Sequence, residues 1–287
     1  MAEVPTILVT GANGQLGKEL KQLEGTYPGC RFIFLSREDL PIHHFELVRN
    51  FFKGYKPQYL VNCAAYTAVD KAETEKDLAF QVNGEAVGVL AAVCREYGTK
   101  FIHISTDYVF DGDATTPYST DAPVNPQTVY GASKLMGEQE AVRYNPSSII
   151  IRTSWVYSEF GKNFVKTMRK LMSERTELKV VNDQLGSPTY AADLAMVIMQ
   201  IISGGKWIPG LYHFSNTGVI SWYDFAVAIR ELSGLSCQLH PISSAQYPTP
   251  AKRPAYSAMK TSGIFSTFGV TPVSWKESLQ LCLQKLN

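Results

Sequence analysis

The chain is poor in cysteine, nearly free of net charge and without a long apolar run, and each shortage excludes a class of protein. Its 27 basic and 26 acidic residues leave a formal charge of +1, so the basic surplus that grips a nucleic-acid polymer is missing. No run of ~18 consecutive apolar residues occurs, which argues against a membrane-spanning helix. The opening MAEVPTILVTGANG carries no basic stretch ahead of its short apolar run and does not read as a signal peptide. The five cysteines (Cys30, Cys63, Cys94, Cys237 and Cys282) are odd in number and form no C-x-x-C pair. Reduced, structural thiols in a cytoplasmic protein fit that usage. Internal repeats and low-complexity segments are also lacking.

What is present is ordinary globular material. At 45% hydrophobic and 18% charged, the composition rules out disorder, collagen and coiled coil. The 287 residues allow two modest domains, each able to bury a core. Strand-like runs at 6–10, 31–35, 59–63, 101–104 and 148–151 alternate with helical patterns ending near 23 and spanning 45–52, 72–97 and 129–143. Within 72–97, Leu78, Val82, Ala86, Val89, Leu90, Val93 and Tyr97 recur at helical steps and mark one face. This alternation predicts an α/β fold, a Rossmann-type doubly wound parallel sheet covered on both faces. A smaller α/β substrate-binding domain is expected from the less regular second half. There, helices are expected at 164–172, 192–202, 223–232 and 275–286, and strands at 178–181 and 211–214. The expected division is a dinucleotide-binding domain over 1–153 and a second domain over 154–287, with 177–204 returning to the first. The Pro-rich stretch 247–254 reads as a loop.

Directly after the first strand comes Gly11-Ala12-Asn13-Gly14-Gln15-Leu16-Gly17, opening a helix. Glycines permit a tight turn and close approach to a pyrophosphate, whose charge the free N–H groups of a helix start favour. Gly11, Asn13, Gly14, Gln15, Leu16 and Gly17 are therefore candidate cofactor-binding residues. The G-x-x-G-x-x-G spacing departs from the usual dinucleotide fingerprint and would also serve a purely structural junction. Its position at the first strand–helix junction of an alternating chain favours nucleotide binding. The second strand ends in Leu35-Ser36-Arg37. A hydroxyl and a guanidinium there suit a 2′-phosphate, so NADPH is favoured. Glu38 and Asp39 follow at once, and a small shift would hand the position to an acid and to NADH.

Tyr130-Gly131-Ala132-Ser133-Lys134 sets a tyrosine and a lysine on one face of a predicted helix. A ketone reduction needs a proton for the developing alkoxide. An ammonium near the phenol lowers its pKa and makes it a usable relay. Just past the strand 101–104 stand Ser105, Thr106 and Asp107. In open parallel sheets ligands bind beyond the carboxyl ends of strands. A hydroxyl there can bond the carbonyl oxygen beside the tyrosine. Ser105 and Thr106 compete for that role, and either could merely cap the loop backbone.

Together the glycine loop, S-T-D and Y-x-x-x-K resemble the extended short-chain dehydrogenase/reductases, which act largely on nucleotide sugars. Further segments sharpen the likeness: VNCAAYTAVDKAE at 61–73, STDYVF at 105–110, RTSWVY at 152–157, NDQLGSPT at 182–189 and YPTPAKRP at 247–254. In order and spacing these resemble the dTDP-4-dehydrorhamnose reductase family across nearly the whole chain. The resemblance implies that Tyr130 is the proton donor, Lys134 its partner and Thr106 a hydrogen-bonding aid. It also implies that Asp107, Tyr108 and Trp155 contact the sugar and that Ala64, Ala65 and Tyr66 line the cofactor. Asn163 and Arg253 would lie near the sugar or diphosphate. An apolar face of Trp155 suits a deoxysugar and Arg253 suits a diphosphate, although Trp155 and Tyr108 could equally be core residues.

One departure stands out. Many members carry L-D-I near the adenine, whereas this chain has Leu40-Pro41-Ile42 followed by His43-His44. Some members show magnesium, but no carboxylate cluster here specifies Mg2+. The adjacent histidines do not share a helix face and make no convincing metal site. Related dehydratases carry Asp-Glu after the threonine; here Tyr108 follows Asp107, which favours simple reduction over dehydration or epimerisation. The regulatory beta subunit of methionine adenosyltransferase is similar too, but joint retention of Thr106, Tyr130, Lys134 and Trp155 favours catalysis. The resemblance thus implies NADPH-dependent reduction, with NADH as the alternative, at C4 of a dTDP-4-keto-6-deoxyhexose. The expected product is dTDP-L-rhamnose for surface polysaccharide. The partner would be a dTDP-sugar, with no nucleic acid or membrane, and the chain a monomer or homodimer.

Overall fold

Runs rich in β-branched and aromatic residues become strands, and the 3.6-periodic segments between them become their crossovers. The computed structural model describes residues 4–286. Its first half runs β1 (Thr6–Thr10), α1 (Gln15–Gln22), β2 (Arg31–Leu35), α2 (Phe45–Tyr55), β3 (Tyr59–Asn62), α3 (Val69–Ala72), α4 (Lys76–Phe80), α5 (Ala86–Tyr97), β4 (Lys100–Thr106), α6 (Val129–Tyr144) and β5 (Ile149–Thr153). The second half runs β6 (Val156–Tyr157), α7 (Phe164–Glu174), β7 (Glu177–Val181), β8 (Leu185–Gly186), β9 (Thr189–Tyr190), α8 (Ala191–Ser203), β10 (Gly210–His213), β11 (Ile220–Ser221), α9 (Trp222–Leu232), β12 (Gln238–Ile242), α10 (Ser262–Phe268) and α11 (Trp275–Lys285).

Six strands form one sheet in the order β10-β5-β4-β3-β1-β2, every neighbouring pair parallel. The pleat sends alternate residues to opposite faces. Ile7 and Val9 face one side with Ile102, Ile149 and Ile151, against Leu16 and Leu20 of α1 and Leu194 and Ile198 of α8. Leu8, Leu60, Phe101 and Ile150 face the other, against Val48 and Phe52 of α2 and Val87, Leu90 and Val93 of α5. Each such side chain stabilises the fold by about 1.5–3 kcal/mol. The chain steps from β1 to β2 in one direction and to β3 in the other. That reversal opens a crevice beyond the carboxyl ends of β1 and β3.

Within 177–204, β7 pairs with β12 in a separate sheet, and it is α8 that packs on the parallel sheet. The sixth strand of that sheet, β10, comes from still later in the chain. A second core gathers Val165 and Met172 of α7, Phe225 and Ile229 of α9, and Leu279 and Leu283 of α11 around Leu178, Val180 and Leu239. α9 and α11 both begin with capping boxes, Ser221 with Asp224 and Ser274 with Glu277. All five cysteines are free thiols.

The single helix expected over 72–97 is interrupted. Thr74 returns both its N–H and its hydroxyl to the Lys71 carbonyl, ending α3. α4 then passes through a π-turn at Gln81–Glu85 before α5. The run Lys76–Tyr97 is 22 residues long and apolar enough in composition to cross a bilayer. Its Val87, Leu90, Ala91, Val93 and Cys94 are nevertheless fully buried in the protein core, so its apolarity is that of a core helix.

Candidate active site

The glycine turn occupies the crevice. Gly11 has φ +68°, and a Cβ there would stand 2.6 Å from the Ala64 nitrogen; one on Gly17 would stand 2.5 Å from the Gly11 carbonyl oxygen. The turn is thus pressed against the chain leaving β3, and its backbone can face a ligand. Gly14 caps α1 without a side chain, and the first turn holds no acid. Its N–H groups therefore remain open to a pyrophosphate. The cleft above measures about 1010 Å³. That is at the upper limit for a single small ligand and suits a dinucleotide with a second molecule beside it.

Ser36, Arg37, Glu38, Leu40, Pro41, Ile42 and His43 line one end of this cleft. Asp39 turns back, its Oδ2 accepting the Ser36 N–H at 2.8 Å. Hydrogen bonds from the Ser36 side chain and backbone hold the Asp39 carboxyl below its usual range. Among the described residues Arg37 has no ion-pair partner. The arrangement therefore offers a guanidinium to a 2′-phosphate and keeps one of the two neighbouring acids occupied. Buried Leu40 and Ile42 supply the apolar surface for a base.

Thr128 caps α6 by accepting the Gly131 N–H at 3.0 Å, and one turn of that helix carries both Tyr130 and Lys134. Lys134 is 2% exposed; its ammonium donates to the Ile104 carbonyl at 2.6 Å. Burial pulls Lys134 down to about 8, opposed by the charge of Glu138. Burial also pushes Tyr130 up to about 12, with a hydrogen bond to Thr106 pulling back. The lowering expected for the phenol is thus overridden by desolvation, and Tyr130 stands as a protonated phenol at neutral pH.

The competition between the two hydroxyls is resolved by their neighbours. Ser105 donates to Glu138 Oε1 at 2.5 Å, and Glu138 forms a buried pair with Arg152 at 2.7 Å. Thr106 donates to Asp107 Oδ1 at 2.9 Å and bonds Tyr130, so it is the hydroxyl turned to the phenol. Asp107 is 3% exposed and pushed up to about 6 by burial. Its Oδ2 has no hydrogen-bond partner among the described residues, yet Asp107 lines the cleft. A sugar hydroxyl would satisfy that orphan acceptor. Tyr108 meets Tyr130 edge-on, ring centroids 5.5 Å apart.

Ala64, Ala65, Tyr66 and Trp155 also line the cleft. One face of Trp155 is taken by Trp222, stacked at 3.5 Å and 9°, and its backbone adopts the left-handed region at φ +48°. Asn163 and Arg253 do not line the cleft. Asn163 caps α7 and donates to Gln15 Oε1 of the glycine turn at 2.8 Å. Arg253 pairs with Asp70 at 2.8 Å, tying the 247–254 loop to α3.

Sequence reasoning missed Asn83 and Lys162. Asn83, fully buried in the π-turn, accepts the Tyr66 N–H at 2.8 Å and donates to the Tyr66 carbonyl and the Ser133 hydroxyl, both at 3.0 Å. It therefore fixes the cleft wall to α6. A polar pair, Gln81 with Asn83, interrupting an apolar helical run was the available signal. Lys162 is simply a lysine on the cleft wall. Among the described residues no group of three or more His, Cys, Asp or Glu side chains is arranged to hold a metal.

A glycine turn at the sheet's switch point, facing a tyrosine–lysine pair and a strand-end hydroxyl, defines a Rossmann-type reductase of the short-chain dehydrogenase/reductase class. The family model described as RmlD substrate binding domain matches residues 5–287. The chain is 44% identical over 280 residues to the spore coat polysaccharide biosynthesis protein SpsK of Bacillus subtilis, covering 97% of each. It is 40% identical over 284 residues to the dTDP-4-dehydrorhamnose reductase of Aggregatibacter actinomycetemcomitans, covering 96% of this chain and 97% of that one. The crystal structure of the dTDP-4-dehydrorhamnose reductase of Bacillus anthracis in complex with NADP superposes with a TM-score of 0.94 at 37% identity, covering 99% and 100% of the two chains. The chain belongs to the dTDP-4-dehydrorhamnose reductase family.

Proposed function

We propose that this enzyme reduces the 4-keto group of dTDP-4-dehydro-L-rhamnose to give dTDP-L-rhamnose, with NADPH as the preferred reductant. The observation that carries the reading is the convergence of Tyr130, Lys134, Thr106 and the glycine turn on one cleft. The cofactor fits the residues present: Gly11, Gly14 and Gly17 leave room and N–H groups for a pyrophosphate, and Ser36 and Arg37 suit the 2′-phosphate. When bound, the reduced nicotinamide supplies the hydride. Tyr130, protonated at neutral pH, delivers its proton to the substrate O4. Thr106 shares a hydrogen bond with that oxygen and steadies the charge as it forms. Lys134 stabilises the phenolate left behind and offers a donor to the nicotinamide ribose. Asp107 accepts a sugar hydroxyl at its free Oδ2, and Trp155 borders the sugar.

The product would feed surface polysaccharide, in keeping with a relative that takes part in spore coat polysaccharide biosynthesis. A cytoplasmic monomer or homodimer completes the proposal. The test follows NADPH absorbance with dTDP-4-dehydro-L-rhamnose. Wild-type protein is expected to consume NADPH, and Tyr130→Phe to lose about 10²–10⁴-fold in kcat, the range for a positioned acid. No oxidation by the wild type, or full activity in the variant, overturns the assignment.

A further inference from the structure

A line of buried polar side chains runs beneath the site. Thr10 at the end of β1, Asn62 at the end of β3, His103 in β4 and Lys134 on α6 are 1%, 0%, 0% and 2% exposed. Thr10 Oγ1 lies 2.6 Å from Asn62 Oδ1, Asn62 Nδ2 lies 3.0 Å from His103 Nδ1, and His103 Nε2 lies 3.4 Å from Lys134 Nζ. Four buried polar groups are costly unless bonded end to end.

We propose that His103 is a positioning residue for Lys134, its ring tautomer following the protonation of the lysine through a chain that reverses at Asn62 and Thr10. This rests on the reading of Lys134 as the partner of Tyr130.

The argument is one of donors and acceptors. An ammonium has three protons and no lone pair. The Ile104 carbonyl takes one proton. The contact to His103 then requires a lone pair on Nε2, which puts the ring proton on Nδ1. That N–H needs an acceptor, so Asn62 must present its carboxamide oxygen to His103 and its NH2 to the Thr10 hydroxyl. A neutral amine carries a lone pair as well, and so admits the opposite. It accepts from Nε2–H, Nδ1 accepts from Asn62 Nδ2, and Asn62 Oδ1 accepts from Thr10, which is the polarity the amide shows here. A hydroxyl and a neutral imidazole can serve either polarity in place, and the carboxamide does so by a half-turn that exchanges its Oδ1 and Nδ2.

His103 remains neutral throughout, because burial and then the charge of Lys134 hold it well below its ordinary value. The other groups facing Lys134 adjust less. Glu138, one turn on along α6, is bound to Arg152 and Ser105. Burial pushes the Cys63 thiol, after β3, far up and keeps it uncharged. Tyr130 is likewise a neutral phenol. The His103 chain is therefore the contact that can rearrange to favour the ammonium, beside the fixed Ile104 carbonyl and the charge of Glu138, against a burial that drives Lys134 towards the amine.

The experiment uses the apo chain labelled with 15N-histidine. Two-bond 1H–15N correlations report the ring tautomer, and His103 is assigned by its loss in His103→Gln. The expected result is Nδ1–H below, and Nε2–H above, a midpoint near the Lys134 value of about 8. In Lys134→Met that switch should vanish. One tautomer held on both sides of the midpoint in the wild type overturns the proposal.

Kinetics supply the second reading. Loss of the acceptor in His103→Phe should move the alkaline limb of the kcat profile down by about one pH unit, the scale of a hydrogen bond to a charged group. His103→Gln, which keeps an acceptor near Nε2, should restore the limb. Asn62→Asp, an acceptor only, should lock Nδ1–H and move the limb up, and it serves should His103→Phe not fold. Uniform loss at every pH, with the limbs unmoved, overturns the proposal. Because the tautomer is read without substrate, a normal switch in a protein that does not reduce the keto-sugar would refute the proposed function alone.

Discussion

The parallel sheet and the second core hold their functional residues by different means. On the sheet, position is a property of the backbone: a turn at φ +68°, a helix start without a cap, a strand end, one turn of α6. Around the second core, position comes from side chains that meet partners far along the chain. Trp155 stacks on Trp222, Asn163 reaches Gln15 and Arg253 reaches Asp70. Reaction chemistry needs groups fixed to fractions of an ångström, and elements packed on both faces of a sheet supply that. Substrate recognition can be assembled from contacts that form only once the two regions are joined. Changes in the sheet region should therefore act on cofactor and kcat, and changes in the other region on the KM for the sugar.

The largest break should come at Gly11. Alanine there must adopt φ +68° with its Cβ 2.6 Å from the Ala64 nitrogen, and strain of this kind costs on the order of 1–3 kcal/mol before the turn moves. NADPH affinity, measured by fluorescence titration, should fall at least about 100-fold for a loss near 3 kcal/mol. Unaltered binding in a folded Gly11→Ala would mean that the turn does not hold the cofactor.

Arg37→Ala comes next. Losing a charge-assisted bond to the 2′-phosphate should weaken NADPH by about 10- to 100-fold while leaving NADH nearly unchanged. An equal effect on both would remove Arg37 from cofactor choice.

Smaller again, Gly186→Ala tests the second region. Its Cβ would come 2.7 Å from Trp155 Cε2 and must displace the indole. The KM for the keto-sugar should rise about tenfold, a little over 1 kcal/mol, with NADPH affinity intact. A fall in cofactor affinity instead would erase the division of labour between the regions.

The same contrast decides what the sequence discloses. Alternation, the glycine turn and Tyr130 with Lys134 are readable because each signal is local, set by a period or by a few adjacent residues. The π-turn leaves only the local hint of Gln81 and Asn83, and what Asn83 binds is not readable, since its partners lie 17 and 50 residues away. Nor is the upward shift of Tyr130, because burial is a sum over the whole fold and outweighs the hydrogen bond with Thr106. Arg253 reads as a free cation for a diphosphate until Asp70, 183 residues distant, is brought beside it. A local pattern locates the chemistry, while the partners that tune it emerge only on folding.

The smallest effect tests the seam between the regions. Glu19 on α1 is 2% exposed. Burial first, then the hydrogen bond and charge of Glu159, push Glu19 up to about 8. Burial works against ionisation of Glu159 as well, but hydrogen bonds from Glu19 and Lys285 hold that carboxyl below its usual range. Glu159 also accepts from the Tyr190 hydroxyl at 3.1 Å and from Lys285 at 3.0 Å. Glu19 is therefore the protonated member and the donor. Its folded pKa exceeds the ordinary 4.5, so above that pH the folded state binds more protons than the unfolded one. Its contribution to stability is thus complete below about 4.5, declines as pH rises to about 8, and is then level. Glu19→Gln keeps a donor towards Glu159 and cannot ionise. Its melting temperature should match the wild type near the lower limit and exceed it by several degrees near the upper one, as the wild type loses the contribution of its protonated Glu19. An identical difference at both ends would show that Glu19 does not carry the shared proton and that the seam is held by packing alone.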